Sequence, residues 1–368
     1  MEDMGLDLFQ DFYRNKTILV TGHTGFKGSW LSIWLKELGA NVIGYSLDPY
    51  SDEDNFCVSH LNRKIVDIRA DIRDPSKLDN VIKKYEPEIV FHLAAQPLVR
   101  LSYEKPRETY DINVMGTLNV LERIRENPCV KVGVMITTDK CYENKEQIWA
   151  YREIDPMGGY DPYSSSKGCC ELLISSYRNS FFYRNGEYKK AIASVRAGNV
   201  IGGGDWSKDR IIPDCIRSFK KNQMVEIRNP KAIRPWQHVL EPLYGYMLLA
   251  KNLYYNAKDF SSGWNFGPDI DKAVTVSAIV NLLTNYWKGG QWKEVLTDTQ
   301  LHEANLLTLD CTKAKKLLGW KPVMTIEETI DYTVKWYKEN NKEDMYKFNV
   351  NQIKDYCKLR GREDNEES

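Results

Sequence analysis

The chain has 368 residues, enough for one large α/β domain or two coupled ones. Lys+Arg and Asp+Glu both number 51, so the formal net charge is +0, and nothing in the charge balance points to nucleic acid or an anionic membrane as partner. Hydrophobic residues at 42% and charged residues at 28% exclude a disordered chain. No apolar run reaches the length of a membrane span, and the acidic start MEDMGLDLFQDFYRNK predicts no secretory signal. The eight cysteines show neither C-x-x-C nor metal-ligand spacing, which predicts a reduced, cytoplasmic protein without a metal site.

In chain order, the first predicted strand is Thr17–Thr21, which runs into Gly22-His23-Thr24-Gly25-Phe26-Lys27-Gly28. Trp30, Leu31, Ile33, Trp34, Leu35 and Leu38 then give a broad apolar helical face, and Gly39 ends it before a strand over Asn41–Ser46. Further continuous apolar runs fall at residues 64–68, 89–95, 133–138 and 192–195, with helical segments at 75–84, 110–125 and 163–178. Buried strands alternating with helices predict an α/β fold, a doubly wound parallel Rossmann sheet. Past residue 200 the pattern turns irregular and rich in Gly, Pro and Trp, which predicts a smaller mixed α/β substrate-binding domain. The expected division is 15–200 for the sheet domain with 236–266 returning to it, 201–235 and 267–348 for the smaller domain, and polar tails at 1–14 and 349–368.

Gly22, Gly25 and Gly28 form G-x-x-G-x-x-G between a strand and a helix, where missing Cβ atoms let backbone N–H groups approach a pyrophosphate. His23, inside the loop, is expected to reach the phosphate or ribose of a dinucleotide, and Phe26 and Lys27 complete the cofactor loop. Ser46 and Asp48 lie about 20 residues on, where the adenosine ribose is held. No Arg stands beside them in sequence to meet a 2′-phosphate, which favours NAD over NADP. Asp71 and Ile72 are candidates for the adenine end, and Leu93, Ala94 and Ala95 for the groove floor. Tyr163 and Lys167 form Y-x-x-x-K; one turn apart on a helix, the ammonium lies near the phenol and lowers its pKa for proton transfer. Thr138, Asp139 and Lys140 follow the apolar run 133–138, at the edge of a parallel sheet where ligands bind. Among the histidines, His92 reads as a core residue, His60 and His302 have no companions at ligand spacing, and His238 is placed to support a pocket.

The stretches VTGHTGFKGSW, HLAAQPLVRLSY, TTDKCYEN, GGYDPYSSSKGC, VRAGNVIGGGDW, RNPKAIRPWQHV and DCTKAKKLLGWKP resemble the extended short-chain dehydrogenase/reductase family, in its sugar-nucleotide 4,6-dehydratase branch and the CDP-glucose form of that branch. The resemblance spans residues 15–345. It implies an internal redox cycle on CDP-glucose with NAD as cofactor: hydride leaves sugar C4, water is lost across C5 and C6, and the hydride returns to C6. Tyr163 would then be the base at the 4-hydroxyl, Lys167 its electrostatic partner and a ribose ligand, Thr138 a hydrogen-bond partner of the 4-oxygen, and Asp139 the acid at the 6-hydroxyl. Many dehydratases carry Glu after that Asp, as the base at C5; this chain has Lys140, either as the base or as a substrate anchor beside another base. The same resemblance implies Gln96, Arg100, Asn113, Arg196, Asn199, Arg210 and Arg234 as substrate-binding residues, with residues 206–214 covering the nucleotide. It also implies a homodimer or homotetramer paired through the helices at 110–125 and 163–178. An epimerase or a dehydratase of another nucleotide sugar would share Tyr163 and Lys167, and a non-catalytic NAD-sensing regulator would lack an intact Thr/Asp/Tyr/Lys set.

Overall fold

Seven short strands pair side by side in the computed structural model, which describes residues 8–184, 186–295, 306–340 and 344–366, with side chains to 362. They are β1 (Thr17–Thr21), β2 (Asn41–Ser46), β3 (Val66–Arg69), β4 (Ile89–His92), β5 (Val132–Ile136), β6 (Ala191–Ala197) and β7 (Gly263–Phe266). Every pairing is parallel, and the order is β7-β6-β5-β4-β1-β2-β3. The strand order reverses between β1 and β4, and in such sheets the crevice at that point, beyond the carboxyl ends, receives the ligand.

The inner strands are buried on both faces, which is why they read as apolar runs, whereas the edge strand β3, Val-Asp-Ile-Arg, is only half-buried. Ile18 and Val20 fall in one core and Leu19 in the other, as the twofold alternation of a strand requires. The first core takes in α1 (Phe26–Glu37); the second takes in α2 (Pro75–Tyr85), α3 (Gly116–Glu126) and α4 (Pro162–Tyr177). The helix α5 (Leu240–Tyr255) joins the first core. The doubly wound expectation therefore holds, with boundaries moved by a few residues. The run 89–95 stops at His92 because 93–95 leave the sheet edge, and the helix expected from 110 opens with a π-helical turn, Asp111–Met115, before α3. His92 is a satisfied core residue, bonded to Thr21 at 2.7 Å and Thr117 at 3.1 Å.

The polar ends are a correction. Residues Met345–Glu366 form a helix, α7, that follows α6 (Ile326–Glu339). Its Asn349, Ile353, Tyr356 and Arg360 recur at helical spacing and are buried. The Tyr356 ring meets Trp34 of α1 edge-on at 5.7 Å and its hydroxyl donates to Glu241 at 2.8 Å, while Asn349 bonds Asn55 at 2.6 Å. One buried stripe, itself partly polar, in an otherwise charged helix leaves the composition polar, which is what read as a tail. At the other end Phe9, Phe12 and Tyr13 are buried, and Tyr13 donates to the Met247 carbonyl at 2.5 Å. Ile353→Ala should therefore cost about 2–5 kcal/mol in denaturant unfolding; a change near zero would restore the tail. His302 lies outside the described residues. Among the described residues no helix is long and apolar enough to cross a membrane.

Candidate functional site

The glycine loop leaves β1 and enters α1. Gly22 has φ +76°, and a Cβ there would stand 2.7 Å from the Ala94 nitrogen; one on Gly28 would stand 2.1 Å from the Gly22 carbonyl oxygen. These two glycines close the loop on itself and on residues 93–94, where Ala94 donates to Thr21 at 3.2 Å. Gly25 differs: apart from Gly22 O at 3.4 Å, its missing side chain faces open space. It is also the N-cap of α1 and supplies no capping side chain, so the N–H groups of the first turn stay free for an anion. The cradle fits a dinucleotide pyrophosphate. Gly25→Val should abolish dinucleotide binding by calorimetry and leave the unfolding temperature within a few degrees; unchanged affinity would remove the loop from the cofactor site.

The structure places the other cofactor candidates individually. His23 is fully buried, its ring turned under Gly44 to Asp67 at 2.8 Å, so its side chain does not reach a ligand. Asp48 is 87% exposed and Ser46 is bonded to Thr24 at 2.9 Å. An Arg does stand at the ribose end: strand register sets Arg69 opposite Ser46, where it donates to the Leu47 carbonyl at 3.1 Å and to Asp67 at 2.9 Å. Asp71 is held by Arg73, which keeps its carboxyl below the usual range, and Ile72 packs over Gly116. Strand pairing, invisible in a linear pattern, sets Asp67 under His23 and Arg69 beside Ser46, whereas Asp71 is held locally by Arg73.

Beside the loop, β5 ends at Ile136 and is followed by Thr137, Thr138 and a tight turn, Asp139–Cys141. Helix α4 starts next to it, with Asp161 accepting from the Ser164 amide at 2.9 Å and Pro162 in the first turn. Gly159, at φ +135°, lets the chain pass within touching distance of Ser165; a Cβ would stand 2.2 Å from that nitrogen. Thr138 lies beside the Tyr163 phenol, whose pKa it pulls down, and donates to Asp139 Oδ1 at 3.0 Å. Asp139 Oδ2 is buried with no hydrogen-bond partner, packed against Gly198. Thr138, Asp139, Lys140 and Tyr163, singled out in the sequence, line one cleft. Burial pushes Tyr163 up to about 12, against Thr138 and Arg210, which pull it down. Lys167 sits behind, buried, donating to the Ile136 carbonyl at 3.2 Å. Arg210 is a further cation that lowers the phenol, one the sequence reading did not pair with Tyr163.

These groups open on a cleft of about 640 Å³. Lys27, Arg100, Thr138, Asp139, Lys140, Tyr163, Asn199, Arg210 and Arg234 all line it. Burial, then Arg210, lowers Lys27 to about 8. Arg210 is tethered to Asp205 at 2.7 Å and Arg100 to Asp209 at 3.3 Å. Asp205, Asp209 and a further lining cation, Arg228, were missed by the sequence reading; the carboxylates beside Arg210 in GGGDW and SKDR were the available signal.

Three expected substrate ligands are not in the cleft. The side chain of Gln96 is spent on its own turn, accepting from the Leu98 amide at 2.5 Å and donating to Thr109 at 2.9 Å. Asn113 clamps Gln96 and donates to Ser166 of α4 at 2.8 Å. Arg196 is 4% exposed inside β6 and paired with Glu171 at 2.7 Å. A charge in an unbroken buried strand must find its partner inside. His238 is likewise buried, edge-on to Trp30 at 6.4 Å, and does not line the cleft.

Residues 19–333 match the family model described as GDP-mannose 4,6 dehydratase. The chain is 53% identical over 351 residues to the CDP-glucose 4,6-dehydratase of Salmonella typhimurium, covering 94% of this chain and 98% of that one. It is 30% identical over 328 residues to a putative UDP-glucose 4-epimerase of Methanocaldococcus jannaschii, covering 88% and 99%. The dTDP-glucose 4,6-dehydratase of Bacillus anthracis, solved in complex with NAD, superposes with a TM-score of 0.74 over 89% of this chain and 98% of that one, at 20% identity, a likeness of fold. Because the family match runs from β1 through the cleft to α6, the glycine loop, the Tyr163 helix and the Thr138–Lys140 turn are all inherited together, and the chain belongs to the GDP-mannose 4,6-dehydratase family.

Proposed function

We propose that this protein is a hydro-lyase, an NAD-dependent CDP-glucose 4,6-dehydratase that makes CDP-4-keto-6-deoxy-glucose. The observation that carries the reading is the meeting of Tyr163, Thr138, Asp139 and Lys140 in one cleft, in a chain 53% identical to a CDP-glucose 4,6-dehydratase. When bound, NAD supplies a hydride acceptor at sugar C4 and a donor at C6. Tyr163 takes the proton of the 4-hydroxyl, with Thr138 beside the same oxygen. Asp139, whose buried Oδ2 has no partner, gives a proton to the departing 6-hydroxyl. Lys140, on the next residue, removes the C5 proton. An epimerase needs only the Tyr163–Lys167 pair. Arg100, Arg210 and Arg234 supply fixed cations for the diphosphate, two of them preset by Asp209 and Asp205. Met115 and Leu172, 46% and 63% exposed on the segment before α3 and on α4, support pairing of copies through this face, as a cytoplasmic homodimer or homotetramer.

The test is incubation with NAD and a panel of nucleoside diphosphate glucoses, followed by mass spectrometry. Loss of one water from CDP-glucose is expected. An epimer of unchanged mass would make the protein an epimerase, and dehydration of another nucleotide alone would move the base specificity.

A further inference from the structure

Tyr163, Lys167 and Glu171 recur every four residues along α4 and share one face. Glu171 does not reach the cleft. It is 4% exposed, and its carboxylate accepts from Thr137 Oγ1 at 2.5 Å, Ser194 Oγ at 2.7 Å and Arg196 Nη2 at 2.7 Å. Thr137 directly precedes the Thr138–Asp139–Lys140 turn. Arg196 donates from its other terminal nitrogen to the Tyr142 hydroxyl at 2.6 Å, and Tyr142 donates on to Asn265 at 2.8 Å in β7. Tyr142 lies two residues past Lys140. The turn is thus gripped at both ends, and both grips lead to one buried ion pair.

Stability gives no reason for that pair, because well-packed apolar side chains of similar volume commonly replace a buried ion pair at no loss. The carboxylate is nonetheless firmly ionised: burial pushes Glu171 up, but Arg196 and the hydrogen bonds from Arg196, Thr137 and Ser194 together hold it below the usual range. We propose that Glu171 and Arg196 are positioning residues, whose ion pair fixes the register of the Tyr163 helix against the Thr138–Asp139–Lys140 turn. The proposal rests on the dehydratase reading: Tyr163 works at the 4-oxygen while Asp139 and Lys140 work at C6 and C5 of the same ring. A slip of an ångström between the two elements therefore misplaces two groups at once, a loss of about 100-fold.

The decisive variant is Glu171→Met with Arg196→Met, which removes both charges and keeps the bulk. The unfolding temperature should stay within a few degrees or rise, KM for CDP-glucose should stay within about threefold, and kcat should fall about 100-fold. A folded double variant with wild-type kcat, or one altered only in KM, overturns the proposal. Should that variant not fold, Thr137→Val keeps the shape of the side chain and deletes only the hydroxyl that joins the turn to Glu171. Its kcat should fall about 10-fold at constant KM, and an unchanged kcat overturns the proposal. Amide hydrogen exchange over 138–142 decides the register without any substrate: faster exchange in either variant is expected, and wild-type protection overturns it. Absence of wild-type turnover on CDP-glucose would instead remove the dehydratase reading, with the exchange result still standing for or against the pair.

Discussion

Tyr163→Phe should lower turnover of CDP-glucose about 10³–10⁴-fold, the upper end of what one positioned proton acceptor contributes. The phenol stands in the cleft at the start of α4, beside Thr138, which itself donates to Asp139. The substitution removes one oxygen and no packing, and Thr138 keeps Asp139 as a partner. The stability cost should be about 1 kcal/mol. Binding of the nucleotide sugar should change less than about threefold, because its proposed anchors are the arginines. The pH profile gives a second check. Only the phenolate accepts the 4-hydroxyl proton, and burial sets the phenol to about 12 in the ligand-free protein. Wild-type kcat/KM should thus rise with pH through the neutral range, and the rising limb should vanish in the variant. A variant with near-normal turnover would leave Tyr163 and Lys167 as two residues of a helix face.

Lys140→Met should abolish product formation by at least about 10³-fold, through a different step. Lys140 lines the cleft in the tight turn Asp139–Cys141, its amide donating to Thr138 Oγ1 at 3.4 Å. The methionine keeps the stem and deletes the amine. Asp139 is left intact, but water does not leave C6 until C5 gains carbanion character. Solvent deuterium should then fail to enter C5 of the recovered sugar, read by mass spectrometry. A merely anchoring Lys140 predicts the opposite split: KM rises, saturating CDP-glucose restores kcat, and deuterium enters C5 at the wild-type rate.

The sequence by itself determined what depends on local spacing. A glycine every third residue between a strand and a helix needs no tertiary information to read as a phosphate cradle, and Tyr163 with Lys167 must share a helix face at any helix phase. Thr138, Asp139 and Lys140 follow from their place at the end of an unbroken apolar strand. What only the tertiary structure decided is direction. Arg196, Gln96, Asn113 and His23 have the chemistry of ligands, yet each turns inward, because a neighbouring element offers a buried partner: Glu171 for Arg196, Asp67 for His23, and a turn's own backbone for Gln96 and Asn113. Arg69 reaches the ribose end only because parallel pairing lays β3 beside β2, 23 residues away in sequence by register. The C-terminal helix became structure because Trp34 and Glu241, far upstream, cover its single buried stripe. Linear pattern fixes which residues occupy an element's faces; which face meets a partner is set by pairing between distant segments, and burial then gives an unpaired polar group no choice but to find the nearest one.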